Sequence, residues 1–206
     1  MDEYELSPDE QETLETYECE VIVNVNGQAN WNEEYAVSDF HYFRHLLPSG
    51  RVLDLGCGTA PHARFFSRSP YGYVGIDASR AMLREAKSMY PDEQFFRMRM
   101  QTLFFHDNSF DGFWSFAALP HIPRDTIDLV LREITRVTRR GGIGCVELVE
   151  GNNARMVEAE GKRALVTGYQ PEEFAEIARR NSLRVVEQGG QREWGELIFF
   201  LEVVKE

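Results

Sequence analysis

Val52-Leu53-Asp54-Leu55-Gly56-Cys57-Gly58-Thr59-Ala60, followed by Val74-Gly75-Ile76-Asp77, decides the fold of this chain. The first stretch reads as a buried strand running into a glycine turn, and the second as a strand ending in an acid, with a helix between them. Gly58 and Asp77 stand 19 residues apart. In a βαβ unit, an acid about 20 residues past the glycines suits a ligand with a ribose. The tight turn lets the backbone approach, and the carboxylate accepts bonds from the hydroxyls. A dinucleotide fingerprint needs a third glycine. Counted from Gly56, that position is Pro61. This disfavours a pyrophosphate, and with it a nicotinamide dehydrogenase, and favours a nucleoside ligand without phosphates.

Outward from this unit the pattern alternates. Strands are predicted near 51–55, 73–77, 94–98, 111–116 and 142–149, and helices near 61–68, 79–88 and 124–138. Pro61 would open the first of these helices with Ala60 as a poor N-cap, leaving free N–H groups for a carboxylate or water. Ser79 can cap the helix that begins at Arg80. Gly141-Gly142 ends the long helix. Alternation of this kind argues for a parallel sheet with helices on both faces. Pro171 opens another helix, and the tail reads as two strands, Leu183–Glu187 and Glu196–Val204. Ahead of the core, Ser7-Pro8-Asp9-Glu10 looks like a helix start. Val21–Gly27 alternates and ends in Asn-Gly, a strand-and-turn signal. Residues 31–47 have apolar residues at helical spacing.

The 206 residues suffice for one domain with a sizeable core, and 43% hydrophobic residues argue against global disorder. The net charge of −12 repels phosphate backbones, so bulk nucleic acid is a disfavoured partner. Arg132, Arg136, Arg139 and Arg140 are the best local basic patch. At helical spacing they read as a solvated face ending at a helix C-terminus. Three cysteines, Cys19, Cys57 and Cys145, give no disulfide framework and no zinc spacing. No metal site is expected. There is no apolar run of about 18 residues and no apolar leader at the acidic N-terminus, so a cytoplasmic location is the default and no membrane span is expected.

VLDLGCGTA, VGIDAS and NSFDGFWSFAALPHIP resemble the S-adenosylmethionine-dependent methyltransferases of the Rossmann-like class. The resemblance covers roughly residues 40–204. YQPEEFAEIARRNSLRVVEQ is similar to the small-molecule branch of that family. It implies a three-layer α/β sandwich with a mostly parallel seven-stranded sheet and an antiparallel C-terminal strand beside the fifth. Residues 1–40 would form a lid segment and 41–206 the methyltransferase domain, a single domain overall. S-adenosyl-L-methionine is the implied cofactor. The implied cofactor-binding set is Asp54, Gly56, Cys57, Gly58, Asp77, Ala78, Met82, Met100, Gln101, Ser115, Phe116 and Ala117.

Each of these has a chemical reason. Gly56 and Gly58 lack a Cβ and tolerate positive φ. Asp54 orders the turn or holds the cofactor's ammonium. Asp77 should accept both ribose hydroxyls. Met82 covers the ribose or adenine, or belongs to a helix core. The family pattern usually has an aspartate, often the adenine ligand, where this chain has Arg99. An arginine cannot accept a hydrogen bond, so Met100 and Gln101 would replace it. Backbone carbonyls of Ser115, Phe116 and Ala117 face the ligand side, and Phe116 either bounds the methyl-transfer cavity or packs in the core. His121 is the candidate general base, or else it fixes its loop. Tyr17, Trp31 and Tyr35, with Phe40 and Tyr42, are the candidate lid aromatics. They would steady a sulfonium by cation–π attraction, or simply pack.

The leading reading is methyl transfer to an oxygen or nitrogen of a small molecule. A tRNA or protein methyltransferase is a second reading, and a non-catalytic binder of the cofactor serving as a regulator is a third. The acceptor and the oligomeric state are not legible.

Overall fold

A computed structural model describes residues 5–19, 33–67, 70–159, 161–189 and 195–205. The elements in chain order are α1 (Pro8–Tyr17), α2 (Glu33–Leu46), β1 (Gly50–Leu55), α3 (Ala63–Phe66), β2 (Tyr71–Asp77), α4 (Arg80–Met89), β3 (Gln94–Arg97) and β4 (Phe110–Ser115). Two 3₁₀ turns follow, Leu119–His121 and Arg124–Thr126. Then come α5 (Ile127–Val137), β5 (Thr138–Glu150), β6 (Ala154–Ala159), β7 (Lys162–Tyr169), α6 (Pro171–Arg180), β8 (Leu183–Gln188) and β9 (Glu196–Val203).

The sheet runs β3-β2-β1-β4-β5, all parallel, and continues through β9, antiparallel to β5, to β8. These seven strands are the expected architecture, with the antiparallel strand beside the fifth. Two further strands were not anticipated. β6 and β7 form a hairpin that joins the sheet where Val149 and Glu150 pair with Gly168 and Tyr169. Val21–Gly27 lies outside the described residues.

Burial periodicity explains the layers. On α2, Ala36, Phe40 and Phe43 are buried at intervals of four and three, the stripe of an amphipathic helix, and Leu47 just past its end continues it. Phe43 and Phe66 both meet the Trp114 ring edge-on, at 5.4 and 5.6 Å between centroids. On the other face α5 buries Ile127, Val130, Leu131, Ile134 and Val137. Phe174, Ile177 and Ala178 of α6 pack in the same cluster.

Three boundaries differ from expectation. α3 is four residues long, with His62 at its N-cap and Pro61 in the preceding turn. Ala60 takes φ +60, so the chain reverses there and no helix can start at Pro61. α5 begins at Ile127, after the turn at Arg124–Thr126. β5 begins at Thr138, so Gly141 (φ +74) lies inside a strand, at the register shift between Phe110↔Thr138 and Gly112↔Ile143. The arginines at the end of α5 are more engaged than a solvated face. Arg136 pairs with Glu133 and Asp107, and Arg139 with Asp111. The last carbonyls of the helix accept instead from Lys205 Nζ.

Gly144 tests the packing of the central strands. A Cβ there would overlap the Phe113 ring, whereas one at Gly72 would sit 3.7 Å from Arg51 Cγ. Gly144→Ala is therefore expected to lower the unfolding free energy by ~1–3 kcal/mol, as overpacked cores do. Gly72→Ala should stay within about 0.5 kcal/mol of the parent. Urea unfolding of both variants checks this, and equal losses would contradict the packing described.

Candidate functional site

The carboxyl ends of β2, β1 and β4 lie side by side, and the candidate residues gather there, as expected for a crevice at the reversal of strand order. The glycine turn makes the crevice. Gly56 and Gly58 have φ +70 and +55. A Cβ on Gly56 would overlap Ala118 and meet Met100 Cε at 2.9 Å, so this glycine is required by close packing. A Cβ on Gly58 would meet nothing within 4 Å, so the backbone there borders open space.

Asp77 holds that turn. Its Oδ2 accepts from the Gly58 N–H at 2.9 Å and its Oδ1 from the Ser79 N–H at 2.8 Å. The carboxylate keeps further lone pairs. Burial pushes the Asp77 carboxyl upward, and the N–H groups of Ser79, Gly58 and Ala78 oppose the shift. Asp54 is buried and accepts from the Tyr73 hydroxyl at 2.6 Å. Burial raises it to about 7; the Tyr73 bond works against this and the Asp77 charge with it.

Several candidates offer only backbone to the crevice. Cys57 is buried, its N–H donates to the Ile76 carbonyl, and its sulfur packs toward Gly75. Ser115 turns its hydroxyl onto the Leu55 carbonyl at 3.2 Å. Ala117 takes φ +51, a conformation that L side chains rarely adopt. Met100 and Gln101 are buried while Arg99 is exposed, so the departure from the family pattern points away from the interior. Gln101 Nε2 donates to Glu10 Oε1 at 2.9 Å, which leaves its carbonyl for another partner. Met82 is buried in a small cluster with Ala81 and Tyr17. Phe116 stacks on Trp114 at 4.5 Å and meets His62 edge-on at 5.0 Å.

α1 lies across this crevice. The Tyr17 carbonyl accepts from Ser79 Oγ at 3.0 Å, and Glu18 accepts from the first N–H groups of α4, those of Arg80 and Ala81. The Tyr17 hydroxyl is 2.8 Å from His121 Nε2, and His121 Nδ1 is 2.6 Å from the Leu165 carbonyl. A carbonyl only accepts, so in the neutral ring Nδ1 carries the proton and Nε2 accepts from Tyr17. Burial, reinforced by the Asp77 charge, pushes the Tyr17 phenol up to about 12. Burial lowers the His121 pKa against the opposing bond to Leu165. Tyr35 is in the first turn of α2, and Trp31 lies outside the described residues. Phe40 and Tyr42 pack in the core, Phe40 stacked on Phe65 and Tyr42 edge-on to Phe200.

His62 was missed. It is buried beside the glycine turn, accepts from Trp114 Nε1 at 3.2 Å through Nδ1, and is lowered to about 4 by burial, with a smaller push from Arg64. A histidine four residues past the second glycine was the available signal. Among the described residues, no group of three or more acidic, histidine or cysteine side chains could hold a metal, and no helix is long and apolar enough to cross a membrane.

Residues 52–142 match the family model described as a methyltransferase domain. The 2-methyl-6-phytyl-1,4-hydroquinone methyltransferase of Synechocystis sp. is 33% identical over 48% of this chain and 31% of its own length. The chain spans less than half the length of the curated relatives it matches. Among solved structures, the DhpI–SAH complex superposes with a TM-score of 0.80 at 17% identity, covering 96% of this chain and 98% of that one. The Burkholderia thailandensis 1,6-didemethyltoxoflavin-N1-methyltransferase, with bound 1,6-didemethyltoxoflavin and S-adenosylhomocysteine, gives 0.74 at 18% identity, covering 98% and 93%. With the glycine turn, the acid at the end of β2 and the antiparallel strand beside β5, these matches show a methyltransferase domain over residues 52–142 and the fold of the Rossmann-like S-adenosylmethionine-dependent methyltransferases.

Proposed function

We propose that the protein transfers a methyl group from S-adenosylmethionine to a small acceptor held between the glycine turn and α1. The observation that carries this reading is the geometry of Asp77. A half-buried carboxylate is fixed by two N–H groups beside backbone that borders open space at Gly58. In this reading the free lone pairs of Asp77 take the ribose hydroxyls. Met100 and the Gln101 carbonyl take the adenine, and Asp54 faces the ammonium of the amino-acid tail. When bound, the cofactor supplies an activated methyl group, so alignment of the two reactants provides much of the acceleration, ~7–11 kcal/mol at best. The resemblance to enzymes of small acceptors, the negative charge and the cover provided by α1 favour a small molecule over a tRNA. Three cysteines outside any disulfide suit the reducing cytoplasm.

Asp77→Ala is expected to raise the dissociation constant of S-adenosylhomocysteine by ~10–150-fold, the loss of hydrogen bonds to a charged group. Calorimetry measures it, with thermal unfolding as the control for the turn. An unchanged constant would sink the ribose assignment.

Asp54 makes a pH prediction. Raised from 3.8 to about 7, it holds a proton in the folded state that the unfolded chain releases. The stability it lends is whole below about pH 4 and is lost as pH rises to 7, on the order of 4 kcal/mol over that window. A nearby ammonium favours the ionised form, so ligand binding should expel a proton below pH 7. S-adenosylhomocysteine affinity should therefore rise from pH 5.5 to 7.5 and level off above. In Asp54→Asn both the affinity slope and the stability slope should flatten, as followed by calorimetry and by denaturant titration at each pH.

A further inference from the structure

The bond between Tyr17 and His121 changes which atom an acceptor can reach. His121 sits in the turn directly after β4, and the Tyr17 carbonyl is tied to Ser79, just past the end of β2. β1 lies between β2 and β4. A side chain that reaches from one to the other passes over the end of β1, above the glycine turn. Tyr17 is that side chain. Its hydroxyl occupies the lone pair of His121 Nε2 at 2.8 Å, and the Leu165 carbonyl occupies the other ring nitrogen. With α1 docked, both ring nitrogens of His121 are engaged, and the phenolic oxygen is the polar atom that caps Nε2.

The geometry points to a two-residue proton relay in which Tyr17 Oη, not His121, meets the methyl acceptor, and to an acceptor that presents a neutral hydroxyl. This rests on the methyltransferase reading above. Tyr17 Oη donates its hydrogen to His121, so toward the crevice it shows only lone pairs. Lone pairs attract an O–H and repel a carboxylate, which has already lost its proton at neutral pH. An amine attacks with its own lone pair and sheds its proton afterwards, so it needs no relay. A phenol-like hydroxyl, with a pKa near that of free tyrosine at about 10, is the group that gains from a base.

The step balances. The acceptor hydroxyl gives its proton to Tyr17 Oη as the Tyr17 proton moves to His121 Nε2. The acceptor oxygen forms a bond to the methyl carbon, the carbon–sulfur bond of the cofactor breaks, and the sulfur keeps the electron pair as a neutral thioether. The imidazolium is left held by the Leu165 carbonyl. Tyr17 never needs to ionise, consistent with a phenol raised by burial and by Asp77.

The test uses the full chain, radiolabelled S-adenosylmethionine and two probes of like shape at pH 8: catechol, still protonated there, and 4-nitrocatechol, already ionised. Tyr17→Phe should lower turnover ~10²–10⁴-fold with catechol, the scale of proton-transfer catalysis. With 4-nitrocatechol the loss should be below about tenfold. Equal losses with both probes would make Tyr17 a merely structural residue and overturn the relay, as would no loss with either. Labelling of neither catechol by the parent protein, or labelling of a malonate monoester in their place, would overturn the hydroxyl assignment. A readout without turnover comes from ¹⁵N NMR of His121. It should show the Nδ1–H tautomer, and its titration midpoint should rise in Tyr17→Phe, because the neutral ring loses a donor; an unchanged midpoint contradicts the dyad. Calorimetry with S-adenosylhomocysteine tests the methyltransferase reading separately. If the parent fails to bind it, that reading falls whatever the NMR shows.

Discussion

The carboxylate of Asp77 ties together three parts of the chain. Through Gly58 it holds the turn after β1, and through Ser79 it holds the entry to α4. Ser79 in turn caps α4 through Met82 and bonds the Tyr17 carbonyl of α1. A buried carboxylate without such donors would take up a proton or open to water. The turn therefore depends on the acid as much as the acid depends on the turn. This explains why a glycine pair and an acid 19 residues later form one unit. The helix between them only has to return the chain, and α3 does so in four residues.

The same constraint tolerates backbone strain in the turn. Ala60 keeps the left-handed conformation that a glycine would adopt without strain. Its N–H donates to the Cys57 carbonyl at 2.8 Å and its carbonyl accepts from Ala63, so the turn is closed by backbone bonds that no side chain has to make. Ala117, across the crevice at the end of β4, is strained in the same way. Two non-glycine residues in the left-handed region, after the neighbouring strands β1 and β4, mark the loops as held by their surroundings rather than by local preference.

How much of this was legible follows from where apolar periodicity is strong. β1, β2, β4 and α5 read correctly because their buried faces are made of valine, leucine, isoleucine and phenylalanine. The βαβ unit and the antiparallel tail followed, the latter by resemblance. α1 was legible only as a helix start, and its docking was not. Its buried residues are Glu10, Thr13 and Thr16, a polar face that no hydrophobic pattern marks. The β6–β7 hairpin escaped for a related reason. β7 buries Leu165, Thr167 and Tyr169 on alternate positions, but β6 is mostly exposed and carries the charges of Arg155 and Glu158. The pairing of Tyr17 with His121 joins residues 104 apart and leaves no local trace. His62 was hidden by the expectation that a helix began at Pro61.

That polar face gives α1 its character. Thr13 accepts from the Leu165 N–H, Thr16 donates to the Arg163 carbonyl and Gln101 donates to Glu10. Bonds of this kind net about 0.5–1.5 kcal/mol each, because water replaces them when they break. Apolar burial works differently. Exposing Phe43 or Trp114 would return a whole ring to water with nothing to replace the lost contacts. The sheet and its two helical layers are therefore bound by terms that penalise separation. α1 is bound by terms that water can largely match. Leu165 shows the link most directly: its N–H donates to Thr13 of the helix while its carbonyl accepts from His121 of the crevice. One residue of β7 thus joins the docking of the helix to the orientation of the imidazole, so a shift in either is felt by the other through Leu165.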